Sequence, residues 1–390
     1  MAKSKSSSLF YWVLGIGGLA LVAWIFFKSS HNEDRQKEAS PSNNSETGMA
    51  HSVASDLEVP PTNNLPTPRV IVVAPPPLTN GNVAATNMFK TTVNTNAGFT
   101  KVTSKTGPLV TVLEAQIALA RRGISPGSLD GALGSQTRSA LRAYQASMNL
   151  PVTGSLDAAT KSALEVVQPI FKKVIVTQDD LDRLQPVGTN WLSKSQQSRL
   201  DYETILELES EKAWSHPLLI KKLNSGIDWS NVVAGTELVV PNVEKPMLKS
   251  KIKSIHIKLQ EKILEGFDEN TNLLVHFPCS IAQKVEKRPV GELHVMVLAP
   301  NPNYTFDPEV FPESEEARQM KTKLLIPPGP NNPVGSAWIG LDKPGYGMHG
   351  TPKPEEVGRT ESHGCFRLSN WNAELLVRYV SVGVPVYVEP

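Results

Sequence analysis

The chain has 390 residues, 40% of them hydrophobic, and a formal net charge of +1 at pH 7. Its length is more than one ordinary domain needs, so we expect several domains. The balanced charge gives no general basic bias, and the composition therefore does not suggest nucleic acid as a partner.

The N-terminal residues predict a membrane anchor. Residues 9–27 are nineteen residues without a charge, and the preceding residues 1–8 include Lys3 and Lys5. A helix of this length spans roughly 28 Å, about the hydrocarbon thickness of a bilayer. The lysines weakly favour a cytoplasmic N-terminus, so we expect a single-pass protein of the cell inner membrane whose other domains lie in the periplasm or cell-wall space. A cleaved signal peptide is the alternative, although no small-x-small cleavage site follows the apolar run.

The next segment, residues 28–107, predicts a tether. It is dense in Ser, Asn, Thr and Pro and has few aromatic residues. A segment of this composition cannot bury enough apolar surface to offset the entropy lost on ordering, so we expect it to be disordered.

Residues 108–167 predict a small all-α bundle of three helices. The first helix ends at Gly123, the second has Ser135 as a natural N-cap, and the third has Asp157 as its cap. The stretches LDGALGSQTRSALRAYQ and LPVTGSLDAATKSAL resemble the peptidoglycan-binding domain repeat of wall hydrolases and transpeptidases. That resemblance implies the glycan strands of peptidoglycan as a partner. It rests on Asp130, Gly131, Gly134, Thr137, Tyr144, Gln145, Thr153 and Gly154.

Residues 168–247 predict a second small module, of the α+β class. Two short helices, YETILELESEKAW and PLLIKKLNSG, are followed by a glycine turn and a strand. The module resembles LysM domains in Leu223-Asn224 at the end of the second helix and in Ala234-Gly235 at the turn. The first strand of a LysM domain is not evident here. A helical linker domain is the alternative.

Residues 248–390 change from a helical to a strand-like hydrophobic period. Ile255, Ile257 and Leu259 alternate with other residues, and the runs LLVHFPCSIA, ELHVMVLAP, SAWIGLD and VPVYVE follow between Pro, Gly and Asn. Short strands at close intervals predict a mostly β domain, either a sandwich or a barrel-like sheet. The connection at 301–335 is long and rich in Pro and Asn, so we expect a lid or a substrate wall there.

One loop near the C-terminus gathers the residues that acyl transfer needs. A thiol nucleophile requires a base that removes its proton, a group that fixes the tautomer of the base, and backbone N–H donors for the developing oxyanion. Cys365 follows Gly364, whose missing Cβ lets the backbone come close to a substrate carbonyl. His349, sixteen residues before the cysteine, is the candidate base that would ionise the thiol. The segment GMHGT holds no carboxylate, which leaves the Gly350 carbonyl as the candidate third group.

This loop resembles the signature of the L,D-transpeptidase (YkuD-like) family, a His-Gly dipeptide, a variable loop, then Ser/Thr-His-Gly-Cys and Arg. His349-Gly350, Ser362-His363-Gly364-Cys365 and Arg367 stand in that order. The resemblance implies a mostly β catalytic domain of the L,D-transpeptidase type, a β-sandwich, in which Cys365 is the acylated nucleophile and His349 the base.

Further roles come from the same resemblance. The Gly350 carbonyl would orient the base, and the Gly364 amide would bind the oxyanion. Arg367 would shape the site for the donor substrate, and the loop would be held by Ser362 and His363.

The implied reaction is acyl transfer on peptidoglycan stem peptides through a cysteine thioester, with an amine of another stem or of a wall-attached protein as acceptor. It requires no metal and no organic cofactor. Water as the acceptor would instead make the protein an L,D-carboxypeptidase or endopeptidase. Three alternatives remain: a zinc site of His349, His363 and Cys365; a disulfide with Cys279, which otherwise has the setting of a buried strand residue; and a non-catalytic peptidoglycan anchor.

Overall fold

The computed structural model describes residues 106–107, 109–311, 314–362 and 364–390, all within one compact unit. The predicted anchor at 9–27, almost all of the predicted tether, and His363 lie outside the described residues. Within those ranges, no helix combines the length and the apolar character that crossing a membrane requires.

The first domain is a helical bundle, as predicted. It contains β1 (Thr106–Gly107), α1 (Val112–Ala120), α2 (Ser135–Ser147), α3 (Ala158–Ala163) and β2 (Val166–Val167), which pairs with β1. The Asp157 side chain caps α3 by accepting the Thr160 N–H. The predicted cap of α2 is wrong: the Gly134 carbonyl already accepts the Arg138 N–H, so Gly134 is the N-cap and Ser135 belongs to the helix.

Two buried glutamines hold the glycine turns of the bundle. The Gln116 side chain accepts the Gly131 N–H at 2.8 Å, and the Gln145 side chain accepts the Gly154 N–H at 2.8 Å. Both glycines have a left-handed backbone, with φ of +76° and +65°, which costs little without a Cβ. These positions of the peptidoglycan-binding pattern therefore stabilise the fold of the bundle.

The second module has the order strand, helices, strand. In chain order it contains β3 (Phe171–Ile175), α4 (Gln178–Asp182), α5 (Trp191–Ser195), α6 (Ile205–Lys212), α7 (Pro217–Leu223) and β4 (Glu237–Pro241). β3 and β4 pair antiparallel. The sequence showed no first strand because two exposed lysines, Lys172 and Lys173, interrupt the alternation of β3.

The C-terminal domain is mostly β, as predicted. Its strands are β5 (Ser254–Lys258), β6 (Ile263–Phe267), β7 (Leu273–Pro278), β8 (Gly291–Pro300), β9 (Tyr304–Phe306), β10 (Leu324–Ile326), β11 (Ala337–Leu341), β12 (Gly347–His349), β13 (Phe366–Arg367) and β14 (Pro385–Glu389). Its helices are α8 (Glu315–Gln319) and α9 (Asn370–Tyr379). Single turns of 3-10 helix lie at Val285–Lys287, Pro308–Val310 and Pro354–Glu356.

The strands of this domain, apart from β9 and β10, form one mixed sheet. Its order is β13-β12-β11-β8-β14-β5-β6-β7. Of the two predicted alternatives, the single sheet agrees with the barrel-like sheet and not with a sandwich of two separate sheets. The reason is the ten-residue strand β8, whose first half pairs with β14 and whose second half pairs with β11, so both halves of the domain share one sheet.

The connection at 301–335 is itself folded. β9 and β10 pair antiparallel, with α8 between them in the chain. Trp191 of α5 stacks on Phe306 of β9 with ring centroids 4.2 Å apart, and the backbone N–H of Trp191 donates to the Glu316 side chain at 2.6 Å. The second module therefore packs directly against this connection.

The helical bundle covers the β7 edge of the sheet. His276 of β7 donates its N–H to the Gly123 carbonyl at 3.0 Å and accepts the Ser125 N–H at 2.7 Å. Its ring lies between Glu265 of β6, 3.0 Å away, and Ser139 of α2, 3.3 Å away. An uncovered edge would present unpaired backbone groups, so the bundle completes the sheet.

Candidate active site

The strands at one end of the sheet bring the sequence candidates together. β12 and β13 run parallel, with Met348 opposite Phe366 and His349 opposite Arg367. Met348 and Phe366 are buried in the core of the domain. Because side chains alternate along a strand, those of His349 and Arg367 point to the opposite face. Cys365 immediately precedes β13.

The Cys365 thiol lies beside the start of β12. Its Sγ is 3.3 Å from the Gly345 carbonyl oxygen, and it accepts the Gly347 N–H. Gly347 is two residues before His349 on the same strand. The pairing of β12 with β13 therefore turns a separation of sixteen residues in sequence into neighbouring positions on the sheet.

His349 is held as a neutral base. Its Nδ1–H donates to the Gly350 carbonyl oxygen at 2.6 Å, so Nε2 carries no proton and can accept one. The ring also stacks on Trp338 of β11, with centroids 5.7 Å apart. Burial lowers the pKa of His349 to about 4, against the effect of the Gly350 hydrogen bond, and the charge of Arg367 lowers it further.

The thiol is neutral as well. Burial raises the pKa of Cys365 to about 11, although the Gly347 N–H opposes this effect. A thiolate already ionised by His349, as the sequence suggested, is therefore not the resting state. The burial that shields both groups favours their uncharged forms, so the proton must move when the sulfur attacks.

An apolar wall adjoins the sulfur. Cys365 and Tyr304 both pack against the buried cluster that contains Trp338 and Val334. Burial raises the pKa of the Tyr304 hydroxyl, and a charge on Cys365 would raise it further. Tyr304 was not a candidate from the sequence. Its only signal was an aromatic residue in the connection at 301–335, which was predicted to form a substrate wall.

Ser362 and Arg367 contact the loop between His349 and Cys365. The Ser362 hydroxyl donates to the Cys365 carbonyl at 2.5 Å, and the Ser362 N–H donates to Ile281 at 2.8 Å. The Arg367 guanidinium donates to the Ser280 hydroxyl at 3.3 Å and to the Thr360 carbonyl at 3.2 Å. Both side chains thus bind protein groups that fix the loop.

Two sequence candidates stay predictions. No atom outside its chain neighbours lies within 4 Å of a Cβ built on Gly364, so its surroundings are open. His363 lies outside the described residues. Among the residues that the structure does describe, no group of three or more His, Cys, Asp and Glu side chains is placed to hold a metal.

Cys279 is a different kind of thiol. Both cysteines are free. Cys279 is fully buried, as the sequence predicted, but it follows β7 instead of lying within the strand. Burial raises its pKa to about 12. The two thiols differ in access: Cys365 is partly exposed, whereas Cys279 is enclosed, so a substrate carbonyl cannot reach Cys279.

A thiol and a neutral imidazole on neighbouring strands of a mostly β sheet define a site of the class that performs acyl transfer. Residues 252–388 match the YkuD family, the L,D-transpeptidase catalytic domain, and residues 110–164 match a family described as a peptidoglycan binding domain. The chain therefore carries a YkuD-family L,D-transpeptidase catalytic domain preceded by a peptidoglycan-binding domain.

Relatives of known sequence support the same family. A Bacillus licheniformis protein named as the L,D-transpeptidase YkuD is 25% identical over 167 residues, which are 43% of this chain and 82% of the relative. A Bacillus subtilis protein named as the L,D-transpeptidase YqjB is 34% identical over 105 residues, which are 26% of this chain and 51% of the relative.

Solved structures with detectable similarity include other L,D-transpeptidases. The enzyme from Mycobacterium smegmatis is 18% identical, with a TM-score of 0.29, and the match covers 41% of this chain and 65% of that one. The enzyme from Xylanimonas cellulosilytica is 15% identical, with a TM-score of 0.31, and the match covers 73% of this chain and 95% of that one.

Proposed function

We propose that this protein is an L,D-transpeptidase that acts on peptidoglycan stem peptides through a thioester at Cys365. The observation that carries the proposal is the His349 Nδ1–H bond to the Gly350 carbonyl, because it leaves Nε2 free as a neutral base near the thiol. The YkuD family match and the relatives named as L,D-transpeptidases support it.

In the first half-reaction, Cys365 attacks the carbonyl between the third and fourth residues of a stem peptide. The S–C bond forms while Nε2 of His349 takes the thiol proton, so neither group has to be charged beforehand. Backbone amides, with the Gly364 N–H as the candidate, hold the tetrahedral oxyanion. The C–N bond then breaks, and the imidazolium gives its proton to the departing D-amino acid.

In the second half-reaction, an amine attacks the thioester carbonyl. His349 takes a proton from the amine, a new C–N bond forms, the S–C bond breaks, and the sulfur recovers a proton from the imidazolium. The acceptor amine belongs to another stem peptide or to a wall-attached protein. The proton balance closes without a metal or an organic cofactor.

The N-terminal parts would deliver this site to its substrate. The bundle matches a peptidoglycan-binding family. In the second module α6 and α7 precede the final strand β4, which pairs with β3, and this supports a LysM-like role in glycan binding, with α4 and α5 as additions to that pattern. The uncharged run at 9–27 supports a single-pass anchor in the inner membrane, with the catalytic domain in the periplasm or cell-wall space. Attachment to the wall raises the local substrate concentration.

Intact-protein mass spectrometry after exposure to a carbapenem, an acylating mimic of the donor, tests the nucleophile. We expect one covalent adduct, absent from Cys365→Ala and retained by the matched control Cys279→Ala, because the Cys279 thiol is fully buried. An adduct that survives Cys365→Ala would contradict the assignment.

Purified muropeptides with a four-residue stem test the reaction. A cross-linked dimer is the expected product. A shortened stem with no dimer would identify a hydrolase, and unchanged muropeptides, together with binding to sacculi, would leave only an anchor.

A further inference from the structure

The buried side-chain amide of Asn370 connects the second module to the turn formed by Gly350 and Thr351, the catalytic turn. Asn370, the first residue of α9, is fully buried. Its Oδ1 accepts the Thr351 N–H at 3.0 Å and the Ser336 N–H at 3.1 Å. Thr351 follows Gly350, whose carbonyl orients His349. The Asn370 side chain is thus one residue away from the group that sets the tautomer of the base.

The approach at this point is close. A Cβ built on Gly350 would lie 2.1 Å from Asn370 Oδ1, and one on Gly335 would lie 2.0 Å from it. Neither position has room for a side chain, so the Asn370 oxygen sits between the backbones of the catalytic turn and of the end of the 301–335 connection.

The other end of the Asn370 amide faces a carboxyl group of the second module. Asn370 Nδ2 donates to both oxygens of Glu211, each at 3.0 Å, and to the Pro330 carbonyl at 3.2 Å. Glu211 lies in the last turn of α6. Its Oε1 also accepts the Tyr202 hydroxyl at 3.1 Å.

These contacts fix which way the amide points. An amide has one end that accepts and one that donates. The carboxyl oxygens of Glu211 and the Pro330 carbonyl accept hydrogen bonds from the NH2 end, which directs Oδ1 toward the two backbone N–H groups. With Glu211 removed, the NH2 end loses both carboxyl oxygens and keeps only the longer contact to the Pro330 carbonyl.

We propose that Glu211 is a positioning residue of the active site, which acts through Asn370 to hold the turn that carries Gly350 and thereby the orientation of His349. This inference rests on the proposed function. It makes a helix of the second module part of the scaffold for catalysis, a role separate from any binding of glycan.

The experiment compares Glu211→Ala and Glu211→Gln with the matched control Glu209→Gln. Glu209 is a buried carboxylate of the same helix, but it pairs with Lys212 at 3.1 Å. Stopped-flow carbapenem acylation gives the binding constant and the rate constant separately. Iodoacetamide alkylates Cys365 without any transpeptidase chemistry. The rate of this alkylation, measured at Cys365 by peptide mass spectrometry, therefore reports how well His349 acts as a base.

We expect Glu211→Ala to lower both rate constants on the order of tenfold to a hundredfold, as misplaced catalytic groups do, with the carbapenem binding constant unchanged within about twofold. Glu211→Gln, which keeps one acceptor oxygen, should recover most of the loss, and Glu209→Gln should match the wild type. A purely structural role would lower thermal stability and leave the rates per folded molecule unchanged.

Equal rates in folded Glu211→Ala and in Glu209→Gln would overturn the inference. If Glu211→Ala fails to fold, a Glu211→Gln protein whose alkylation and acylation rates match the wild type across pH 6 to 10 would overturn it instead. Absence of any Cys365 adduct in the wild-type protein would overturn the proposed function, whereas a wild-type adduct formed at the same rate in all variants would overturn only this inference.

Discussion

His349 lies in surroundings that disfavour its charged form. Burial lowers its pKa to about 4, whereas the pKa of an ordinary histidine is about 6.5. The imidazole is therefore unprotonated, and able to act as a base, at any pH well above about 4. A histidine with an ordinary pKa would lose half of its capacity as a base already in mildly acidic solution.

This difference gives a test by pH. We expect the rate of Cys365 acylation to change little from neutral pH down to about pH 5 and to fall only as the pH approaches about 4, where His349 takes up its proton. Carbapenem acylation at each pH measures the rate, and circular dichroism verifies that the protein stays folded. A half-maximal rate near about pH 6.5 would show an ordinary imidazole.

Glu211 links pH to stability. Burial raises its pKa to about 8, the hydrogen bonds from Asn370 and Tyr202 oppose this, and two neighbouring carboxylates, Glu374 and Glu207, add to it.

Glu211 lines a cavity together with Arg183, Arg378 and Glu374. Arg183 pairs with Asp201 at 3.0 Å, and Glu374 pairs with Lys245 at 2.7 Å. No ion pair with Glu211 is present among the described residues.

The sign of the pH effect follows from the raised pKa. In the unfolded chain Glu211 loses its proton near pH 4.5, but in the folded protein it keeps the proton up to about pH 8. Between these values the folded state binds more protons, so the contribution of Glu211 to the free energy of unfolding falls as the pH rises.

We expect urea unfolding to show that Glu211→Gln gains stability relative to the wild type as the pH increases from 5 to 8. Other groups titrate in the same window, so the measured quantity is the difference between the two proteins at each pH. Glu209→Gln should show no such trend. A constant difference between the wild type and Glu211→Gln would contradict the raised pKa.

At the scale of elements, hydrophobic period predicted the bundle helices, α6, α7 and most strands of the sheet. It missed β3, because two exposed lysines interrupt the alternation of that short strand. It also left a sandwich and a barrel-like sheet as alternatives, since periodicity shows which residues are strands but not which strands pair. The ten-residue β8, which joins both halves, becomes evident only from its pairing.

The same limit applies to the site. Cys365, His349 and Gly350 could be selected from the sequence because they stand close to one another in a glycine-rich loop. Tyr304 and Glu211 could not, because they reach the site from distant segments through tertiary packing. Nor did the sequence show that both the thiol and the imidazole are neutral, since that depends on their burial.

Trp191 of α5 lets the second module hold the connection that carries Tyr304. It stacks on Phe306 and contacts Tyr304 with ring centroids 6.0 Å apart. We expect Trp191→Ala to destabilise the protein by less than the roughly 3–5 kcal/mol of a fully buried aromatic, because Trp191 is half-buried. Tyr304 in the apolar wall beside Cys365 should then become less firmly held, and we expect Cys365 to be acylated more slowly.

Limited proteolysis within 301–335 and carbapenem acylation measure these two effects. Leu192→Ala is the matched control, because Leu192 is the next residue of α5 and is 50% exposed. Identical cleavage and acylation in the two variants would show that the stack has no influence on the connection.

At the scale of the whole molecule, the two N-terminal modules hold the parts of the catalytic domain that carry the site. Gln136 of the bundle donates to the Val357 carbonyl at 2.6 Å, in the loop between His349 and Cys365. Glu211 holds Asn370, and Trp191 packs on the 301–335 connection. The bundle is therefore docked on the catalytic domain, in addition to its proposed role in binding the wall.

Alanine substitutions at two glycines distinguish the docking of the bundle on the sheet from local backbone strain. Gly123 and Gly131 both have a left-handed backbone, with φ of +80° and +76°, so alanine strains the backbone at either position. A Cβ on Gly123 would lie 2.7 Å from the Leu274 carbonyl of β7, whereas one on Gly131 would lie 3.8 Å from Leu113 of its own bundle. Only Gly123→Ala therefore pushes the bundle away from the sheet.

We expect calorimetry to show a single unfolding transition for the wild-type protein, since the bundle and the sheet share backbone hydrogen bonds across β7. Gly123→Ala should be less stable than Gly131→Ala by about 1–3 kcal/mol, the usual effect of overpacking a close contact. Because the bundle also holds the loop at Val357, the Gly123→Ala protein should acylate Cys365 more slowly. Two separate transitions in the wild type, or equal stability of the two variants, would show that the bundle folds and moves independently of the catalytic domain.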